Sequence, residues 1–274
     1  RRSSDLPLGE TSVVQDGKAE KAMRKSEELE HPLRDPDVRK QYGIMMDKKI
    51  GAKSKLFKRE LKKYFKEQRE RLVAQLQPTK TRVFRKNNLI EEILQIELEV
   101  KIGKEAFLPI LSTLLIEAGQ DAVELVGSSF PFKLSTEIKS WLDNKTEVFL
   151  RTINETTMEK LKNEFSESLA NGETRDQLVG RIEDTYETIS TGRAEVIART
   201  EVHNVTQYGT LRGYEQAGLP IKIWVTVGDF SVRDSHASQD GEERPINTPF
   251  SNGLMFPGDP KGEAGETVNC RCVI

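Results

Sequence analysis

The chain closes on VNCRCVI (268–274), which holds both of its cysteines, Cys270 and Cys272. Two thiols one residue apart can pair with each other, share a metal, react, or simply fill space. In an extended segment they point to the same side as Val268 and Ile274. Their Cα atoms then lie roughly 6.5–7 Å apart with nearly parallel side-chain vectors, at the edge of what a disulfide spans. Buried core thiols are the favoured expectation. The alternatives are reactive thiols, or two ligands of a zinc site whose other ligands arrive from elsewhere.

Two further clusters could carry chemistry. Asp229, Arg233, Asp234, His236 and Asp240-Gly241 form a dense polar stretch that could hold a divalent cation and activate water, as a nuclease requires. Asp and Gly are also turn residues, however, and Asp229 with Arg233 could lock the loop through a charge-assisted hydrogen bond. With no second histidine nearby, the lock is the expected reading. Arg199-Thr200-Glu201 invites comparison with the arginine and glutamate of ADP-ribosyltransferases. Residues two apart on a helix point about 200° from one another, which argues against it. Glu201 lines up with Ile197, Val205 and Tyr208 on an apolar stripe, while Arg199 lines up with His203 on the polar side. Glu201 is expected to accept hydrogen bonds from the backbone of the following strand or to pair with a buried arginine.

A basic block, by contrast, is a question of surface. Between Lys48 and Lys86 there are fifteen Lys/Arg against Glu60, Glu67 and Glu70, although the whole chain has a net charge of -2. Lys58, Arg59, Lys62, Lys63, Lys66 and Arg69 are the candidate contacts to double-stranded DNA or an acidic protein surface. A solvated helix face is the plainer account of the same run. Hydrophobic residues make up 36% and charged residues 31% of the 274, so extended helical or disordered parts are expected beside a core. No apolar run approaches the roughly 20 residues that span a bilayer, and no signal-peptide pattern follows the first residues. No membrane partner and no disulfide scaffold are therefore expected.

The elements that must position these residues are mostly helical. Residues 1–36 read as a flexible tail or linker, with a short helix near Ala19–Leu29 and an exposed His31. Residues 37–150 read as a helical region. In Lys55–Gln77 the apolar Phe57, Leu61, Tyr64, Phe65, Leu72 and Leu76 recur at helical spacing, and Pro78 ends the run. Asn88–Lys101 and Ala106–Leu125 read as two helices joined around Gly103, and Thr136–Arg151 as a fourth with Trp141 on its apolar side. In 151–274 a helix from Thr156 stops at Asn171-Gly172, Thr174 and Gln177 form a capping box for the next, and a third runs from Gly192 to Gly218. Ile221–Val227 alternates as a strand, a small hairpin is expected at Asn252-Gly253, and the last eight residues read as a closing strand. The class is α+β: helices first, then a small antiparallel sheet.

The string GRAEVIARTEVHNVTQYG (192–209), WVTVGDFSVRDSHASQDG (224–241), FPGDP (256–260) and NCRC (269–272) resembles the phage Mu F-like minor head proteins, a phage head morphogenesis family. The resemblance covers residues 150–274. It implies a non-enzymatic structural protein of the virion, oligomeric in the assembly. Such a protein is made in few copies and works with portal, capsid or scaffolding proteins at the head interior or portal vertex, in head assembly and in DNA packaging or delivery. The helical half is similar to the tail of portal proteins, and a start at Arg1 fits the downstream part of a portal fusion. Many relatives carry Cys-x-x-Cys where this chain has Arg233-Asp234-Ser235-His236, and a histidine before the final Cys-x-Cys, which looks like a zinc site. Here only His236, Cys270 and Cys272 remain of that set, with Asp229 or Asp234 as a possible fourth ligand. The alternative to a structural role is an ADP-ribosyltransferase-like or metal-dependent nuclease effector.

Overall fold

The computed structural model describes residues 32–76 and 89–274. Of the tail expected over 1–36, residues 1–31, with the short helix and His31, lie outside the described residues, as do the stop at Pro78 and the basic residues Lys80 to Lys86. Residues 32–36 are not tail but a helical turn, the Asp35 cap and the first residue of a long helix.

After a single 3-10 turn at Pro32–Arg34, helix α1 runs from Pro36 to Gln75. Its start is well specified: Pro36 occupies the first turn, and Asp35 accepts from the N–H groups of Asp37 (2.8 Å) and Val38 (3.2 Å). The six apolar residues expected to share a face are all buried. Helix α2 (Leu89–Ile93) is short, and α3 runs unbroken from Ile96 to Leu125. Gly103 does not separate two helices as expected. It lies inside α3, where a Cβ would collide with the Leu150 side chain, so the glycine serves close packing. The stretch Ile90–Leu125 is long and apolar enough to cross a membrane by composition, contrary to the reading of the bare sequence. Phe107, Leu111, Leu114 and Leu115 nevertheless sit in the core, so packing accounts for their hydropathy.

Helix α4 spans Thr136–Ala170, capped by Ser135, and unites the two helices expected at 136–151 and 156–170. It therefore passes straight through residue 150. Gly172, at φ 64°, ends it, and the Thr174–Gln177 capping box opens α5 (Arg175–Thr188). One wide π turn at Ile189–Arg193 leads into α6 (Ala194–Gln216). Helix α6 is buried on every side from Glu201 to Leu211, because α1 and α3 cover it as well as its own C-terminal surroundings. A single core thus joins both halves of the chain. Phe57, Phe107 and Phe149 meet there at centroid distances of 5.1–6.2 Å. A buried polar network ties α1, α4 and α5: Gln68 donates to Asn154 (2.6 Å), Asn154 to Tyr64 (3.0 Å) and Tyr186 to Gln68 (3.1 Å). All of these groups are partnered, which makes the network specifying and not merely tolerated.

The sheet is smaller than the sequence suggests. Strand β1 (Ile221–Ile223) pairs antiparallel with β2 (Glu243–Pro245), in the register Ile221↔Pro245, Lys222↔Arg244 and Ile223↔Glu243. The expected strand to Val227 is cut short, since Val225 instead bridges Val273 of the terminal segment. Alternation also failed to separate two faces: Lys222, Trp224 and Thr226 are as buried as their neighbours. Two single helical turns follow, α7 (Asp234–Ala237) and α8 (Ala264–Thr267). The turn at Asn252-Gly253 is present, with the Phe250 N–H donating to Leu254 O at 2.9 Å. The class is α+β, helical first and with a two-stranded sheet near the C-terminus.

Candidate metal centre

Helix α7 turns His236 inward, and the Val225–Val273 bridge lays the terminal segment beside it. Within that segment Asn269 adopts φ 56°, its N–H held by Thr200 Oγ1 at 3.0 Å, so the expected closing strand is replaced by the α8 turn, a kink and one bridge. Cys270 and Cys272 still project to one side. Val268 does not join them, being 36% exposed. His236 Nδ1 lies 3.6 Å from Cys270 Sγ and 3.5 Å from Cys272 Sγ. All three side chains are buried, and their donor atoms fall within 4.8 Å of one another.

The equal spacing is informative. One ring nitrogen carries either one lone pair or one proton, so it can serve only one S–H···N or N–H···S bond at a time. Zn–S bonds of about 2.3 Å and Zn–N bonds of about 2.0–2.1 Å, at a tetrahedral angle, separate N from S by about 3.6 Å. Both sulfurs stand at that separation. On the far side of the ring, Glu266 Oε2 is 2.8 Å from Nε2. The contact is off the N–H axis, so Nε2 lacks a well-aligned hydrogen bond and the carboxylate orients the ring by charge. Glu266 is itself held by Ser235 Oγ at 3.0 Å, the outer arrangement that usually fixes a ligating histidine. Trp224 meets the ring edge-on at 5.2 Å and closes the apolar side.

The charges are divided among the three. Cys270 is pushed well below the usual thiol range by the Cys272 thiol; burial opposes this, and His236 adds to it. Cys272 is pushed up by that neighbouring charge and by burial. Burial works against protonation of His236, but Cys270 and Glu266 outweigh it and raise its pKa, while Arg233 opposes them. Negative charge is thus favoured on Cys270 beside a ring that holds its proton more firmly than a free imidazole, and a zinc-class cation would displace protons from these groups. The residues fit such an ion: His236, Cys270 and Cys272 would hold it, and its chemistry would be structural cross-linking. Among the described residues no fourth His, Cys, Asp or Glu joins them. The candidates for that position are elsewhere, Asp229 in an ion pair and Asp234 exposed.

The other expected site residues form locks, two of them linked through ion pairs: Asp47 meets both Arg199 and, at 3.9 Å, the Arg271 that holds Asp229. Asp229 does not pair with Arg233. Arg271 reaches it with both terminal guanidinium nitrogens (Nη1 at 2.7 Å, and Nη2), because the bridge brings the terminal segment across the loop. The Asp229 carboxyl is held below the usual range by Arg271, and Arg233 donates instead to Val268 O at 2.6 Å. Glu201 does sit in the core, but its partner is neither strand backbone nor arginine: it is the buried Lys145 of α4. Arg199 points away and pairs with Asp47 of α1. His203, expected on a polar face, is 1% exposed, its Nε2 2.7 Å from Cys272 O. No sequence signal marked Lys145, His203 or Glu266 as partners. Arg271 had one, since alternation between two inward cysteines turns it outward.

The basic helix is partly neutralised from within. Lys58 pairs with Glu195, Arg59 with Glu60 (3.3 Å), Lys63 with Glu67 and Lys66 with Glu70 (both 3.9 Å). Lys53 pairs with Glu117 (2.8 Å), and Arg71 grips Glu99 through two bonds of 3.0 and 2.6 Å. Lys62 and Arg69 have no ion pair among the described residues.

Comparison with known proteins supplies the context. The family described as phage Mu protein F like protein matches residues 159–274, which contain α5, α6, the sheet and the whole candidate centre. An uncharacterized protein of Haemophilus influenzae is 27% identical over 124 residues, covering 45% of this chain and 26% of that protein. Uncharacterized protein YqbB of Bacillus subtilis is 25% identical over 167 residues, covering 58% of this chain and 54% of YqbB. The chain thus spans about a quarter and about half of the lengths of these curated relatives. No solved structure matches.

Proposed function

Taking residues 159–274 as a phage Mu protein F like segment, we propose that the protein is a structural component of a phage head. In this reading it associates with the portal and capsid interior, and assists head assembly and the packaging or delivery of DNA. The match over the C-terminal segment carries the reading. The geometry agrees with a part that docks: Glu201, Arg199, Asp229 and His236 are each taken up by an ion-pair partner of the fold, Lys145, Asp47, Arg271 and Glu266. Phe230, at the tip of the loop that Asp229 and Arg271 lock, is fully exposed, and an aromatic held out on a fixed loop suits an interface anchor. Mass spectrometry of purified precursor and mature heads tests the proposal. The chain is expected in both at low copy number, and Phe230→Ser should reduce its incorporation without lowering its melting temperature. Absence from both kinds of head overturns it.

A second reading concerns what ties the terminal segment down, and the equal spacing of two sulfurs about one Nδ1 favours it. A zinc-class cation held by His236, Cys270 and Cys272 joins α7 to the C-terminus, with the fourth position filled from outside the trio. Elemental analysis of the reduced full chain, desalted after incubation with excess zinc, should find about one zinc per chain. Cys270→Ser/Cys272→Ser should lose it, and should not gain thermal stability on adding zinc as the parent does. No stoichiometric zinc in the folded parent ends this reading.

A further inference from the structure

Helix α1 carries a continuous cationic stripe that the other described residues leave open, and we infer that this stripe binds the phosphate backbone of duplex DNA. Lys48, Lys55, Arg59, Lys62, Lys66 and Arg69 follow one another at steps of seven, four, three, four and three. At 100° per residue all six fall within about 40° either side of one line along the helix, which extends for about 31 Å at 1.5 Å per residue. The buried face, with Phe57, Leu61, Gln68 and Leu72, lies well away from that line. Cations that pair with other helices lie off it: Lys53 faces Glu117, Lys58 faces Glu195 and Arg71 faces Glu99.

No acid interrupts the stripe. Glu60 and Glu70 approach Arg59 and Lys66 from its flank, at 3.3 and 3.9 Å, with side chains 73% and 67% exposed on the basic partners. Pairs so exposed contribute little and are readily exchanged. Lys48, Lys55, Lys62 and Arg69 have no ion pair among the described residues. In a chain of net charge -2, these six cations gather on one side of one helix. A straight row of cations about 31 Å long complements a polyanion that is itself straight and uniformly charged. Duplex DNA, with one charge per about 1.7 Å of axis, is such a partner; four of the six side chains are lysines, point charges suited to phosphate, and contacts to phosphate carry no sequence information.

The proposal draws on the phage-head reading only for its choice of polyanion, so the two can fail separately. A head component need not touch DNA, and a measured DNA affinity does not depend on where the chain resides. The test is fluorescence anisotropy of the full chain with a labelled 30-base-pair duplex of arbitrary sequence, between about 50 and 200 mM NaCl. Six contacts predict a slope of log K against log salt near −5, a loss of affinity of about a thousand-fold over that range. Lys55→Gln/Lys62→Gln/Lys66→Gln should make the slope shallower by about 3, and Lys53→Gln, on the opposite side of the helix, should leave it unchanged. Circular dichroism checks that each variant is folded. No binding at 50 mM salt, or an unchanged slope in the triple variant, overturns the inference. So does displacement of the duplex by poly-glutamate at equal charge concentration, which would point to an acidic protein surface.

Discussion

Substituting alanine for either glycine on the inner face of α6 should lower stability, although the same change in an open helix raises it. Gly209 and Gly213 sit one turn apart where α6 crosses α3. A Cβ on Gly209 would lie 2.5 Å from Leu115 O and 3.1 Å from the Ala118 Cβ. One on Gly213 would lie 2.5 Å from Gly119 O and 2.7 Å from the Ala122 Cβ. The obstructing atoms are backbone carbonyls and methyl groups, which cannot rotate aside, so the helices themselves must separate. Overpacking of this kind costs about 1–3 kcal/mol, against about 1 kcal/mol gained from helix propensity, so the close approach wins. Gly180 of α5 is the control, since a Cβ there meets nothing within 4 Å. Gly180→Ala should stabilise by about 0.5–1 kcal/mol. Urea unfolding followed by far-ultraviolet circular dichroism should shift the midpoint down for Gly209→Ala and Gly213→Ala and up for Gly180→Ala. The double variant should lose less than the sum, because one displacement of the helix relieves both clashes. If Gly209→Ala proves as stable as Gly180→Ala, the tight α3–α6 contact that joins the two halves of the chain does not exist.

Two other perturbations follow from buried charge. Lys145→Ala should cost about 3–5 kcal/mol by leaving Glu201 buried without its partner, while Lys145→Met/Glu201→Leu should recover most of the loss. Thermal melts of the single and double variants decide this, and a loss below about 1 kcal/mol for Lys145→Ala would mean that water reaches the pair. Lys222 is buried over the Phe250 ring, with Nζ donating to Met255 O at 2.7 Å, and burial pushes its pKa from 10.5 to about 8. Between these values the unfolded chain binds more protons at this position than the folded one, so its contribution to stability rises with pH from about 8 to 10.5. The urea midpoint of the parent should therefore gain on that of Lys222→Met as pH rises through this window. A constant gap between them would refute the burial of a chargeable amine.

What the sequence disclosed and what it withheld divide along the distance between partners. Signals set by neighbours a few residues apart were legible: the Thr174–Gln177 box, the stops at Gly172 and Gly218, the apolar stripe of α1, and the turn at Asn252-Gly253. Two glycine and boundary readings failed because the same residue serves either purpose. Gly103 could break a helix or admit a neighbour, and only the Leu150 side chain of α4 distinguishes these. The length of α4 was hidden likewise, since nothing in residues 151–155 had to end it.

Partner identity was hidden most thoroughly, for a physical reason. A carboxylate on a buried stripe must find a cation, but its periodicity says nothing about which element delivers it. Glu201 met Lys145 and Asp229 met Arg271, each supplied by a segment more than forty residues away. The cysteines are the instructive exception. Their spacing of two required only that the segment be extended between them, and the bridge at Val273 maintains that despite the kink at Asn269. His236 was legible as their companion only through the family resemblance, standing where relatives carry the second cysteine of Cys-x-x-Cys, and a single turn of α7 brings its ring to both sulfurs. His203 was not legible. It was misassigned to solvent because helical periodicity defines an outer face only when one side is uncovered. Helix α6 has no such side along its middle, with α1, α3 and the terminal segment all packed around it.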